Sequence, residues 1–497
     1  MSLSTEQKFW SLLKEQSSFQ EAIGLMAWDM RTKAPSKGMD NRSEVLGVLS
    51  QKVHEIQTSD VLKEYIEELK NKPSSNRLTA SLQVAEETYD RTTKIPASMY
   101  REYVTLQSRA ESRWAEAKEN NDFKSFQPYL EELVKYNREF ANLWGYEQHI
   151  YDALLYNYEP GVTVEQLDAV FPKVRESLTS LLNEIKNAPV QPDPEVLKGH
   201  FPKQQQEKFS EEILKRMSYD FEAGRLDETI HPFAIGLNVN DVRVTTKYDE
   251  KDFRTAVFGT IHEGGHALYE QNIDPNLSFT PLATGTSMGI HESQSLFWEN
   301  FIARSRPFWE THYEVFRSYA PRRFEQIPLE DFFRAVNEVK PSLIRIEADE
   351  LTYPLHIMVR YELEKALIQG DIEVKHLPEL WNEKMHSYLG VTPRKDSEGV
   401  LQDIHWAGGD FGYFPSYALG YMYAAQIQHA MKQEIDIDET IKAGDFHQIK
   451  QWLTKNIHQY GKMKKPLSIL NDVTGEGLNA DYLISYLTDK YRGIYQF

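Results

Sequence analysis

The chain has 497 residues, 40% of them hydrophobic, with a formal net charge of -19 and no cysteine. That much apolar sequence builds a large core, and so acidic a surface repels nucleic acid and anionic lipid. The missing cysteines exclude disulfides, thiol catalysis and thiolate metal sites.

Residues 1–22 show no basic start followed by an apolar run, and no uninterrupted apolar stretch is long enough to cross a bilayer. A cytoplasmic protein with neither a nucleic acid nor a membrane partner is expected. Helical periodicity fills most of the chain. In 123–145, Phe126, Leu130, Leu133 and Tyr136 share one face. In 164–188, Leu167, Val170, Phe171, Val174, Leu178 and Leu181 recur at three- and four-residue steps. Breaks fall at 71–76, 158–163 and 188–195, none long enough for a flexible linker, and there is no fixed-period repeat. The expectation is a single domain over 1–497, with a mainly helical wall at 1–227. Residues 34–47 are a candidate lid. The segment 228–250, with Val239, Val242 and Val244, reads as a small hairpin or strand pair. A helix should follow at once, starting near Asp249 or Asp252, either of which can cap it. The remaining helices, over 251–497, carry the chemistry.

That first helix contains His262-Glu263-Gly264-Gly265-His266. Histidines four apart leave one helix face a turn apart, the arrangement of two metal ligands with a carboxylate beside the metal-bound water. The flanking sequence is apolar, so these polar groups are buried and need partners. A catalytic zinc needs a third protein ligand and an open position. Asn272 and Tyr269 stand where one zinc-peptidase class has its third histidine and a glycine, which excludes that class. Glu270 lies too far along the axis from His262 to share an ion with it. The third ligand is expected in 286–301: Glu292 first, with Glu299 as competitor or as a supporting group. His291 points elsewhere, toward packing or toward substrate. The chemistry is metal-assisted amide hydrolysis with Glu263 as general base. Each glycine in the middle of this helix costs about 1 kcal/mol. Gly264 and Gly265 are read as leaving room for water, substrate backbone and the strand pair, or as permitting tight helix–strand packing.

Further segments appear in order: DVRVT (241–245), HEGGH (262–266), HESQ (291–294), IRIEAD (344–349) and GVLQDIHW (399–406). WDMRTKAP (28–35) and FGYFPSYALGYMYAAQ (411–426) accompany them. This set resembles the carboxypeptidase Taq family of zinc metallocarboxypeptidases. The resemblance implies an all-α fold, a large helical bundle with a deep central groove and one small β-hairpin or sheet next to the metal-binding helix. It implies one zinc per chain, with cobalt able to substitute, a homodimer, and removal of C-terminal residues with broad specificity. Carried onto this chain, it implies ligands at His262, His266 and Glu292 with Glu263 as base, and it favours Glu292 over Glu299.

A peptide substrate with a free C-terminus needs a carboxylate receptor, and arginine binds carboxylate with two parallel hydrogen bonds. Arg345 and Arg243 are the arginines within the motifs. An i,i+4 ion pair with Asp349 is the alternative for Arg345. Asp349 and Asp403 are candidates to orient a ligand histidine. His405 is a candidate oxyanion donor and Trp406 a groove wall. Tyr417, with Tyr413 second, is the candidate tyrosine for the oxyanion, and His291 a candidate substrate contact. The competing activities are a neurolysin-like oligopeptidase that cuts internally and a helical scaffold with a structural metal. The scaffold lacks an evident fourth ligand.

Overall fold

Amphipathic periodicity and side-chain caps set most of the helices. The computed structural model describes residues 3–71, 73–444 and 446–497. The N-terminal group is α1 (Thr5–Thr32), α2 (Met39–Gln57), α3 (Asp60–Leu69) and α4 (Asn76–Thr93). It closes its own small core, with Phe9, Leu13, Leu62, Ile66, Leu78 and Leu82. The candidate lid, 34–47, is a 3-10 turn and the start of α2, which packs on α1. Then come α5 (Ala97–Asn120), α6 (Phe123–Trp144), α7 (Ile150–Leu155), α8 (Val164–Lys186) and α9 (Lys203–Arg216). The expected face of α6 is buried, with Tyr136 at its margin. Thr163 and Gln166 close a capping box at the start of α8, which buries Leu167, Phe171, Val174, Leu178 and Leu181.

The β segment is larger than a hairpin. Strands β1 (Leu226–Glu228), β2 (Ala234–Asn238) and β3 (Asp241–Thr246) form a sheet in the order β1-β3-β2. The β2–β3 pair is the expected hairpin, and β1 lies parallel to β3 with Leu226 opposite Val244. Three residues of β1 are too few to show alternation, so this strand fell inside the expected helical wall. The next helix, α10 (Arg254–Gln271), has Phe253 rather than Asp249 or Asp252 at its N-cap. The Asp252 carboxylate instead accepts from Arg254 N–H at 3.0 Å and from the Arg254 guanidinium, a local turn that competes with capping.

After α10 come α11 (Met288–Leu296), α12 (Arg306–Tyr319), α13 (Leu329–Val336), α14 (Tyr353–Gln369), α15 (Leu377–Leu389) and α16 (Pro415–Lys432). Four more helices follow: α17 (Ile437–Lys442), α18 (His447–Asn456), α19 (Pro466–Thr474) and α20 (Asp481–Tyr495). α11 is capped by Ser287 and continues into a π-helical segment, Phe297–Ala303. The main core lies among α6, α8, α10, α14 and α16. α10 is wedged between α9, the sheet and α11.

That wedge explains the two glycines and corrects their reading. A Cβ on Gly265 would stand 2.6 Å from the Gln294 carbonyl oxygen and 2.7 Å from Ser295 Cα, both backbone atoms of α11. A Cβ on Gly264 would meet Leu214 Cδ2 of α9 at 2.6 Å. The close neighbours are helices, not substrate and not the strand pair. Gly420 does the same on α16, where a Cβ would stand 2.7 Å from Glu292 Cγ.

Candidate active site

His262 and His266 leave the buried middle of α10 a turn apart, and Glu292 comes from the first turns of α11. One donor atom from each lies within 4.8 Å of the others. Glu292 Oε2 is 3.4 Å from His266 Nε2 and 3.9 Å from His262 Nε2. The outer ring nitrogens are held from behind. His262 Nδ1 lies 2.9 Å from Glu299 Oε2, and Arg304 donates to the other Glu299 oxygen at 3.0 Å. His266 Nδ1 lies 2.6 Å from His291 Nδ1, and His291 Nε2 lies 2.9 Å from Glu270 Oε1. Each imidazole thus shows Nε2 to the cluster and has its other nitrogen fixed, the orientation a histidine ligand requires.

Electrostatics favour a cation here. Burial lowers the His262 imidazole, but the Glu299 hydrogen bond and the charges of Glu292 and Glu299 outweigh it and raise it to about 10. Burial brings His266 down to about 4 and keeps it neutral, the form that ligates. Burial also opposes ionisation of Glu299, yet its bonds with His262 and Arg304 hold it at about 2. Two imidazoles and a carboxylate inside this acidic frame fit a divalent ion. Glu263 lies between the histidines, and burial pushes it up to about 7, against the pull of His262 and with Glu292 adding to the rise.

A second group adjoins Glu292, whose charge acts on Tyr353, Tyr413 and Tyr417. Arg345 is not in an α-helix, as an i,i+4 pair with Asp349 would require, but on the 3-10 turn Arg345–Glu347 ahead of α14. Its guanidinium donates from Nε and Nη2 to Asp403 Oδ1 at 3.0 and 2.9 Å, and from Nη1 to the Tyr353 hydroxyl. It faces the Tyr417 ring at 5.0 Å. The Asp349 pairing does not form. Asp349 instead accepts from the backbone N–H groups of Lys340, Leu351 and Thr352 and so shapes the turn into α14. Asp403 is shared with Arg360, whose Nε donates to Oδ2 at 2.7 Å. Neither aspartate is hydrogen-bonded to His262 or His266, whose outer nitrogens meet Glu299 and His291. His405 Nε2 lies 3.3 Å from the Tyr417 hydroxyl, and Tyr413 stacks on His405 with centroids 5.5 Å apart.

Two candidate substrate contacts also have protein partners. Trp406 is buried, donating its indole N–H to Glu364 Oε1 at 2.7 Å, with its ring against Trp381. Arg243 pairs with Asp241 through two bonds of 2.8 and 2.7 Å and covers the Trp28 ring at 4.4 Å, tying the sheet to α1.

Other participants escaped the sequence reading. Arg360, Gln402 and Tyr353 complete the frame of Arg345, and Gln402 Oε1 accepts from Arg345 N–H and Arg360 Nη2. Glu159 caps α11, accepting from Ser287 Oγ and Gly289 N–H at 2.8 Å each. The available signal was a charge set in an apolar run, as in "LHIMVRY" around Arg360.

A helix-borne trio of metal donors, a carboxylate between two of them and a framed arginine nearby, set in a helical bundle, define a metallopeptidase. A sequence model of the carboxypeptidase Taq (M32) metallopeptidase family matches residues 8–491, and the chain belongs to this family. Carboxypeptidase 1 of Bacillus subtilis (strain 168) is 53% identical over 99% of this chain and 98% of its own length. Thermostable carboxypeptidase 1 of Thermus thermophilus is 39% identical over 99% of this chain and 100% of its own. The solved M32 carboxypeptidase of Deinococcus radiodurans R1 superimposes with a TM-score of 0.97 at 32% identity, covering 99% of this chain and 100% of that one. The chain is a metallocarboxypeptidase, and no helix among the described residues is long and apolar enough to cross a membrane.

Proposed function

We propose that His262, His266 and Glu292 hold one zinc ion per chain, that Glu263 is the general base, and that the enzyme removes C-terminal residues of broad type from peptides with a free C-terminus. The observation that carries this reading is the trio of donors within 4.8 Å of one another, with Arg345 framed beside it. Two imidazoles and one carboxylate suit zinc, and cobalt accepts the same donors. When bound, the ion supplies Lewis acidity toward the scissile carbonyl and acidifies water.

The chain's own residues do the rest. Glu263, poised near neutrality, takes a proton from water and returns it to the leaving amine nitrogen. The Tyr417 hydroxyl, with His405 behind it, donates to the carbonyl oxygen as negative charge develops. Arg345 receives the substrate α-carboxylate. Asp403 and Tyr353 fix its fork, while Arg360 shares Asp403 and leaves the group with a net positive charge. Tyr413 and His291 flank the substrate. Arg243 and Trp406 support the site through the sheet and the 403–406 turn. A homodimer, implied by the family resemblance, and a cytoplasmic setting, consistent with a chain free of cysteine, complete the reading.

Glu263→Gln tests it. The variant is expected to keep one equivalent of metal and to lose about 100-fold or more in kcat. Loss of the metal with activity kept would contradict the assignment.

A further inference from the structure

A cavity of about 410 Å3 opens beside the metal centre, between α4, residues 156–160, the loop entering α11 and residues 462–466. His291 belongs to both places: it lines the cavity, and its Nδ1 lies 2.6 Å from His266 Nδ1. The chain carries a net charge of -19, yet this cavity gathers Arg91, Lys462, Lys464 and Lys465 against one lining carboxylate, Glu87. Lys465 takes Glu87 at 3.0 Å, and Lys464 takes Asp472 at 2.8 Å. The other two cations have no carboxylate at ion-pair distance among the described residues. Arg91 donates from Nη2 to the Ala153 carbonyl and the Asn157 side-chain oxygen, both neutral, and lies over the Trp144 ring at 4.2 Å. Lys462 makes no side-chain hydrogen bond among the described residues, and Glu270 and Glu87 act on it only at longer range. Glu270 is itself engaged by His291 and by Gly285 N–H. Arg91 is half-buried and Lys462 exposed at the cavity wall, and the Glu87 charge reaches both at longer range. An anionic group entering between them would gain two charge-assisted partners.

The direction of the substrate selects the ligand. Arg345 adjoins Glu292 by way of Tyr353 and Tyr417, whereas His291 adjoins the metal centre by way of His266. A peptide with its carboxylate at Arg345 and its scissile carbonyl at the donor trio has its upstream residues left to surfaces beyond the trio, and the cavity that His291 lines is one of them. We propose that the cavity receives an acidic side chain upstream of the scissile bond, with its carboxylate between Arg91 and Lys462. This rests on the carboxypeptidase reading and gives the enzyme a preference among upstream residues.

The test uses metal-loaded enzyme and N-acetylated peptides that share one C-terminal residue. Glu, Gln or Lys is placed in turn at each of the three positions before it. At one position the Glu peptide is expected to exceed the Lys peptide in kcat/KM by about tenfold, less at high salt. Lys462→Gln and Arg91→Gln should each shrink that ratio, and Lys462→Glu should reverse it. A wild-type ratio within about twofold at every position would overturn the proposal, as would a ratio unmoved in both glutamine variants. The Gln peptides report on the underlying reading. Their hydrolysis with a flat ratio removes only this proposal, while failure to release their C-terminal residue removes the carboxypeptidase reading and this proposal with it.

Discussion

Glu292 and Glu299 lie seven residues apart on one continuous helical run, and the difference between them is what each faces. Glu292 meets the Nε2 atoms of both histidines, whereas Glu299 meets the outer nitrogen of His262 and is anchored by Arg304. Removing the anchor should loosen the ligand without deleting it. Glu299→Gln is therefore expected to weaken zinc binding by about 10- to 100-fold in a chelator competition. Unchanged affinity would mean that the hydrogen bond does not orient His262. Arg360 should behave differently, because it acts through Asp403 on Arg345. With Arg360→Gln, Asp403 keeps one cation, and KM for acid substrates is expected to rise about tenfold with a smaller fall in kcat. The donor trio was legible: HExxH places His262, Glu263 and His266 by helical period, and the family resemblance favoured Glu292 over Glu299. Arg360, Tyr353 and Glu270 were not, because their roles depend on contacts such as the 43-residue step from Arg360 to Asp403. Arg243 and Trp406 lie inside recognisable motifs, and their partners Asp241 and Glu364 were visible only in the fold.

At the scale of the element, the question is how closely two helices must approach to bring a histidine pair and a glutamate to one point. Gly265 faces α11 backbone, which cannot give way, while Gly264 faces the ends of Leu214 and Met217, which can turn aside. Gly265→Ala is accordingly expected to cost about 1–3 kcal/mol of stability and to weaken metal binding. Gly264→Ala should cost less, because its gain in helix propensity, about 1 kcal/mol, offsets part of the clash. Thermal unfolding of the two variants with and without zinc reads the difference. Equal behaviour, or a stabilised Gly265→Ala, would refute the close-approach account. The sequence exposed the α10 glycines as an anomaly but not their partner, since a contact with α11 leaves no local pattern. The same limit hid β1, whose short pairing with β3 is made by backbone alone. The π-helical segment after α11, which carries Glu299, had no cue in the residues either.

The whole molecule carries buried acids that are not part of the metal centre. Glu364 is fully buried and accepts from Tyr151, Trp406 and Gly412, and Glu159 is fully buried at the start of α11. Burial raises both from 4.5 to about 7. Unfolded, each ionises near 4.5; folded, each holds its proton to about 7. Their stabilising contribution is therefore complete below 4.5 and is lost as pH rises through 7. Each accounts for about 3 kcal/mol over that window. Chemical denaturation of the metal-stripped protein at both ends of it should show Glu364→Gln losing less stability with rising pH than the parent, and parallel slopes would contradict this. The all-helical class, the position of the small sheet and the family were legible across the chain because periodicity and ordered motifs are properties of sequence. The cationic cavity was not, because α4 and residues 462–466 meet only in the fold.

The central claim, that a framed arginine directs this metal centre to free C-termini, meets its most direct test in one paired assay. A single peptide is prepared with a C-terminal acid and with a C-terminal amide, incubated with the zinc-loaded enzyme, and its products are read by mass. Stepwise loss of single residues from the acid, with the amide left intact, is the expected result. Internal cleavage of both forms alike would contradict the account.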